Sequence, residues 1–127
     1  FSCGKEPTEV IETSFFYEDA IHNVEKLTEK LKKPAALICA TDRIAQGAYK
    51  VLYEKEIAIP DEVSVVGFGD YETGELMRPP LTTVKFDWGN WGESSAETML
   101  QMIQQKPVST IQVNPYEFID LIWSALT

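Results

Sequence analysis

The chain is short of several things that chemistry usually requires. It has one histidine, His22. A Ser/His/Asp or Cys/His catalytic arrangement has little to draw on, and no Cys or His stands at metal-ligand spacing from His22. There is no GxGxxG and no P-loop glycine pattern, so no nucleotide cofactor is expected. The paired acids Glu18/Asp19 and Asp61/Glu62 fall at predicted helix starts and turns. The expectation is a protein that is not an enzyme, with no cofactor and no metal.

Positive charge is scarce too. Eleven Lys and Arg stand against twenty Asp and Glu, for a net charge of −9. A chain this acidic is poorly suited to hold a polyanion by itself, because phosphate contacts need cations. The one basic cluster, Lys30, Lys32 and Lys33, is offset by Glu25 and Glu29 and reads as the solvated end of a helix. No run of 18 apolar residues exists, so no membrane-spanning helix is expected. No leader pattern opens the chain, and Phe1 stands where a start methionine would. A processed or partial chain is therefore expected, in a cytoplasmic setting. Of the two cysteines, Cys39 lies in an apolar run as a small hydrophobe, and a bridge from it to Cys3 is disfavoured.

What is present alternates. Residues 9–15 read as a short strand. Residues 17–33 read as a helix, with Ala20, Ile21, Val24, Leu27 and Leu31 at helical spacing, acids first and lysines last, stopped by Pro34. The run AALICA at 35–40 has the length and continuity of a strand covered on both faces. Residues 41–56 form the next helix, with Thr41 as N-cap and Ile44, Ala48, Val51 and Leu52 inward. After turn chemistry at Ile59-Pro60-Asp61, residues 63–68 make another strand. Strand, helix, strand, helix, strand is a βαβαβ unit with right-handed crossovers and a parallel sheet. Ligands of such sheets bind beyond the carboxyl ends of the strands. Three loops share that rim: Phe15 to Tyr17, Thr41 with Asp42, and Gly67 to Asp70. Beyond it, 76–86 is an extended connector entering a strand, and 88–105 is an amphipathic helix carrying Ala96, Met99, Leu100 and Ile103 on one face. Residues 111–113 and 118–123 are strand candidates.

The segments PAALICATDRIAQGAYKVLYEKEIAIPDEVSVVGFGD at 34–70 and PPLTTVKF at 79–86 resemble the effector-binding core of the lactose-repressor (LacI/GalR) family of bacterial transcription regulators. The apolar strand, the Ala-Thr-Asp step, Ala-x-Gly-Ala, the Ile-Pro-Asp-Glu-Val-Ser-Val-Val-Gly-Phe block and Pro-Pro-Leu-Thr-Thr-Val occur in order at family spacing. The resemblance implies an α/β, parallel-sheet three-layer sandwich, the periplasmic-binding-protein-like (type I) lobe. It implies that residues 1–82 form the C-terminal lobe of a two-lobed sensor. Residues 83–112 would cross into the N-terminal lobe, 113–127 would return, and the helix-turn-helix DNA-binding head would lie outside this chain. The implied function is sugar sensing that controls operator binding allosterically. The competing reading is a transport or chemotaxis sugar-binding protein of the same fold.

Site residues follow from the same resemblance. Phe15 matches an aromatic set against the effector, or is a core residue at a strand end. Thr41, Asp42 and Arg43 match the strand-end group near the effector, with helix capping as the alternative for Thr41 and Asp42. Gly69 departs from the family's usual Asp, making room for a bulkier ligand or passing its role to Asp70, itself a turn-residue candidate. Gly-Phe-Gly followed by Tyr71-Glu72 resembles the disaccharide-sensing branch. Phe86 stacks on a second sugar ring or packs the hinge, and Trp88 and Trp91 read as helix anchors. The family dimerises through this lobe, which places Gln46, Lys50, Leu76 and Met77 at the interface. At the end, LIWSALT at 121–127 lacks the arginine that members often carry there.

Overall fold

The computed structural model describes residues 7–120. Its elements in chain order are α1 (Tyr17–Thr28), β1 (Ala35–Ile38), α2 (Asp42–Glu54), β2 (Val63–Val66), α3 (Thr73–Leu76), β3 (Thr83–Phe86), α4 (Trp88–Ile103) and β4 (Tyr116–Ile119). β1 and β2 pair in parallel with Ala35 opposite Val63 and Ile38 opposite Val66. The register continues past them: Cys39 donates its backbone N–H to the Val66 carbonyl at 2.8 Å. Thr82 bridges Val66 in parallel, so the entry to β3 runs alongside the end of β2. β3 then pairs antiparallel with β4, which lays the expected crossover strand beside the expected return strand.

The α/β class with a parallel sheet is as expected, but several elements differ. Residues 9–15 are not a strand. Their alternation of Glu with Val and Ile has no partner strand to bond to among the described residues, and Val10 and Ile11 are exposed. Residues 111–113 are likewise irregular. The last strand begins two residues earlier than expected, at Tyr116. The remainder of the 118–123 candidate beyond Asp120, the terminal 121–127 segment and Cys3 lie outside the described residues. α1 stops at Thr28 rather than Lys33. The Thr28 hydroxyl donates back to the Glu25 carbonyl, and Lys30 and Lys33 are drawn to Glu9 and Glu62 at 2.5 and 2.9 Å. The four-residue α3 carries too little apolar periodicity to announce itself.

α2 and α4 stop without a glycine. Glu56 and Gln105 adopt φ of 54° and 55°. The N–H of the following residue reaches back to a helix carbonyl in each case, Ile57 to Leu52 at 2.8 Å and Lys106 to Gln101 at 2.9 Å. This is the Schellman ending. At α2 the burial of Ile57 against the core accompanies the left-handed residue.

The core lies between α1, α2 and one face of the sheet. Ala20 and Val24 of α1, Ala45, Ala48, Val51 and Leu52 of α2, and Val63 and Val65 of β2 meet Leu81 there. β1 differs from the expected doubly covered strand: its alternate residues Ala36 and Ile38 are exposed, Ile38 at 87%. α4 also buries no residue among those described, and Met99, Leu100 and Ile103 face outward. No helix of the described residues is long and apolar enough to cross a membrane.

α1 and α2 approach closely at Gly47, where an added Cβ would lie 2.8 Å from Ala20 Cβ and 3.2 Å from the Tyr17 carbonyl oxygen. Backbone on the facing helix cannot yield cheaply, so overpacking costs apply. Gly47→Ala is expected to lower stability by about 1–3 kcal/mol, read as a drop in the urea midpoint at unchanged slope.

Candidate functional site

The rim at the carboxyl ends of β1 and β2 is organised by one buried carboxylate. Thr41 is extended and caps α2, its hydroxyl accepting the Ile44 N–H at 3.3 Å. The cap turns the chain inward, so the next side chain, Asp42, is 0% exposed. Its Oδ1 accepts the Thr83 hydroxyl at 2.6 Å and its Oδ2 accepts the Tyr71 N–H at 2.7 Å. Its own N–H donates to the Phe68 carbonyl at 3.2 Å. Asp42 thus joins the start of α2, the loop after β2 and the start of β3. The position in the first turn of α2 also sets the charge against the positive end of the helix. Gly67 completes the arrangement, since a Cβ there would stand 2.2 Å from Asp42 Oδ1.

The loop that follows is bent by two left-handed residues. Gly69 has φ +130° and Asp70 φ +55°. Both backbone groups of Gly69 are engaged: its N–H donates to the Val84 carbonyl at 2.9 Å, and its carbonyl accepts Trp88 Nε1 at 3.2 Å. A Cβ on Gly69 would sit 2.8 Å from Tyr71 Cε1, because the tyrosine ring occupies that space. Asp70 turns its carboxylate to Lys85 at 3.2 Å.

Of the residues expected at the effector, Phe15, Thr41 and Arg43 come together. With Tyr71 they line one open cleft of about 290 Å³. Phe15 is 71% exposed, which removes the alternative that it is core. Asp42 does not line this cleft: it is buried, with Oδ1 accepting from Thr83 and Oδ2 from Tyr71, and it holds the rim together. Gly69 does not line it either: its N–H and carbonyl bond within the protein, and the Tyr71 ring lies where a side chain at 69 would go. Asp70 and Phe86 do not line this cleft. Phe86 instead centres a ring cluster, with centroids 4.7 Å from Phe68, 5.2 Å from Trp88 and 4.9 Å from Trp91. Trp88 anchors the start of α4 through its bond to Gly69. Tyr71, which the sequence offered only as part of the Tyr71-Glu72 mark of the disaccharide-sensing branch, is a further lining residue. Its aromatic character in a polar turn after two strand-end glycines was the available signal.

A second cleft, of about 700 Å³, shares Arg43 and is lined by Phe16, Tyr17, Glu18, Gln46, Thr73, Leu76 and Met77. Three of the four expected interface residues are here, with Gln46 donating to the Thr73 hydroxyl and Leu76 75% exposed. The fourth, Lys50, is ion-paired with Glu54 one turn along α2. No group of three or more metal-ligating side chains gathers among the described residues.

Next to Asp42, the buried thiol of Cys39 is pushed up to about 12, by desolvation first and the Asp42 charge second. Burial, then the neighbouring Tyr53 and Cys39, also raises Tyr49. Both groups stay protonated in the fold at pH values where the unfolded chain releases them, so the folded state is favoured less as pH rises. The Cys39 contribution is full below its ordinary value of 9.0 and is lost progressively towards 12. Urea midpoints are expected to be insensitive to Cys39 below pH 9 and to fall above it, and Cys39→Ala is expected to flatten that fall. Asp42→Ala strands the Thr83 hydroxyl and the Tyr71 N–H in the interior. A loss of about 3 kcal/mol in unfolding free energy is expected, with Asp42→Asn losing less in the same urea titration.

Comparison with known proteins accords with this geometry. Residues 4–120 match the family model described as a periplasmic binding protein-like domain. The chain is 31% identical over 98 residues to the ribose operon repressor of Haemophilus influenzae, covering 77% of this chain and 30% of that protein. It is 34% identical over 97 residues to the HTH-type transcriptional repressor PurR of Vibrio atlanticus, covering 76% of this chain and 29% of that protein. The chain thus spans about a third of the length of the relatives it matches. Among solved structures, the lac repressor dimer bound to operator and the anti-inducer ONPF superposes with a TM-score of 0.83 at 27% identity, over 91% of this chain and 40% of that one. With its domain match, its parallel rim and its repressor relatives in agreement, the chain belongs to the lactose-repressor (LacI/GalR) family of transcription regulators, within their periplasmic-binding-protein-like domain.

Proposed function

We propose that this chain is the effector-sensing part of a LacI-type transcription repressor, binding a sugar at the rim of β1 and β2 and thereby controlling operator binding. The observation that carries the reading is the convergence of Phe15, Thr41, Arg43 and Tyr71 on one cleft from three separate loops. Aromatic rings suit the C–H face of a sugar, and a hydroxyl and a guanidinium suit its oxygens. Such a ligand shifts a repressor between lobe arrangements only by its differential affinity for them. One repressor relative is named for a ribose operon, which supports a sugar, and others are named PurR, which is why a purine base joins the sugars in the test.

The finer assignments belong to the same proposal. The half-exposed rings of Phe68 and Trp88, clustered on Phe86 and tied to Gly69, offer a second platform and favour a disaccharide. The exposed apolar face of α4 suits packing in the other lobe of the sensor, as residues 83–112 crossing between lobes would require. Gln46, Lys50, Leu76 and Met77 suit a homodimer contact. Operator DNA would be read by a helix-turn-helix outside these residues, since a net charge of −9 suits a polyanion poorly.

Isothermal titration against ribose, sucrose, trehalose, maltose, glucose 6-phosphate and the purine base hypoxanthine checks this. Saturable heat at one site with a sugar is expected, and weakening of that heat by Phe15→Ala. Binding of hypoxanthine alone would overturn the sugar assignment, and sugar binding untouched by Phe15→Ala would move the site elsewhere.

A further inference from the structure

We propose that the ring of Tyr71 decides which ring-shaped ligand the cleft holds. This rests on the sensor reading and names a specificity determinant within it.

The ring is fixed from two sides. The backbone N–H of Tyr71 is held by Asp42 Oδ2 at 2.7 Å, and that carboxylate is fully buried in the first turn of α2. Two residues earlier, Gly69 is buried at φ +130°, a conformation that favours glycine. A Cβ there would lie 2.8, 3.2 and 3.5 Å from Tyr71 Cε1, Cδ1 and Cζ. The ring therefore rests on bare Gly69 backbone, and any side chain at 69 would displace it. Tyr71 nonetheless remains 45% exposed and lines the cleft with Phe15, Thr41 and Arg43. It is a wall with a rigid back and an open face.

Two acids of the rim are engaged elsewhere. Asp42 is buried and accepts from Thr83 and Tyr71, and Asp70 pairs with Lys85 at 3.2 Å. Among the described residues no carboxylate lines the cleft, so none of them offers a charged acceptor to sort ligand hydroxyls there. Discrimination then falls to how well a ring face packs on Tyr71 and Phe15, with Thr41 and Arg43 serving the polar rim.

The test repeats the titration panel with Tyr71→Ala, Tyr71→Phe and Tyr71→Trp, each first matched to the unsubstituted chain in urea midpoint. All three keep the backbone N–H that Asp42 accepts. Tyr71→Ala is expected to weaken the preferred ligand by about tenfold and to reorder the panel. Tyr71→Phe, which keeps the ring, is expected to preserve the order. Tyr71→Trp is expected to shift preference towards the smaller sugar, and it decides the matter should Tyr71→Ala fail to fold. An unchanged order and affinity in Tyr71→Ala, or in Tyr71→Trp alone should it be the only folded variant, overturns the proposal while leaving the sensor reading intact. Absence of heat from the unsubstituted chain with every panel member overturns both.

Discussion

A carboxylate taken out of water is destabilising unless its lone pairs are met, and Asp42 has no solvent to meet them. Its partners come from distant points of the chain: a hydroxyl on Thr83, 41 residues away, and a backbone N–H on Tyr71, 29 residues away. Satisfying this one group therefore fixes where β3 begins and where the loop after β2 passes. It also removes any freedom at position 67, because the carboxylate occupies the place a side chain would take. The Thr83 oxygen that gives its proton to Asp42 also receives the Asp70 N–H at 3.4 Å, extending the same network along the loop.

The cleft inherits its chemistry from that constraint. Since the acid faces inward, the rim presents two aromatic rings, a hydroxyl and a guanidinium. Gly69 and Tyr71 act together: the first carries no side chain, and the ring of the second lies where one would go. The Trp88 indole, bonded to the Gly69 carbonyl, links the same turn to the aromatic cluster that starts α4. The cleft, the start of β3 and the start of α4 thus meet within a few residues of one turn. Any ligand that moved this turn would be felt in β3, the segment that leads away towards α4.

Much of the layout was legible in the chain because it follows from local periodicity. The α2 stripe of Ile44, Ala48, Val51 and Leu52 is buried where helical spacing puts it, and Thr41 caps it as its hydroxyl allows. The parallel pairing of the 35–40 and 63–68 runs followed from the strand, helix, strand order. Residues 9–15 misled because alternation promises a strand only where another strand offers its edge. The stops of α2 and α4 were hidden because Glu56 and Gln105 adopt a conformation for which glycine is the usual marker. Of the candidate site, Phe15, Thr41 and Arg43 were legible through the family pattern, since strand-end loops of a parallel sheet share one rim.

The sequence by itself determined the α/β class, the helical faces that make the core and the family, since each depends on spacing within a few residues or on motifs in order. Which way Asp42 points, what fills the space over Gly69 and that Tyr71 belongs to the cleft were decided only by tertiary structure. Those outcomes depend on hydrogen bonds and steric exclusions between segments up to 41 residues apart, and no local pattern encodes which of two nearby polar groups will be the buried one.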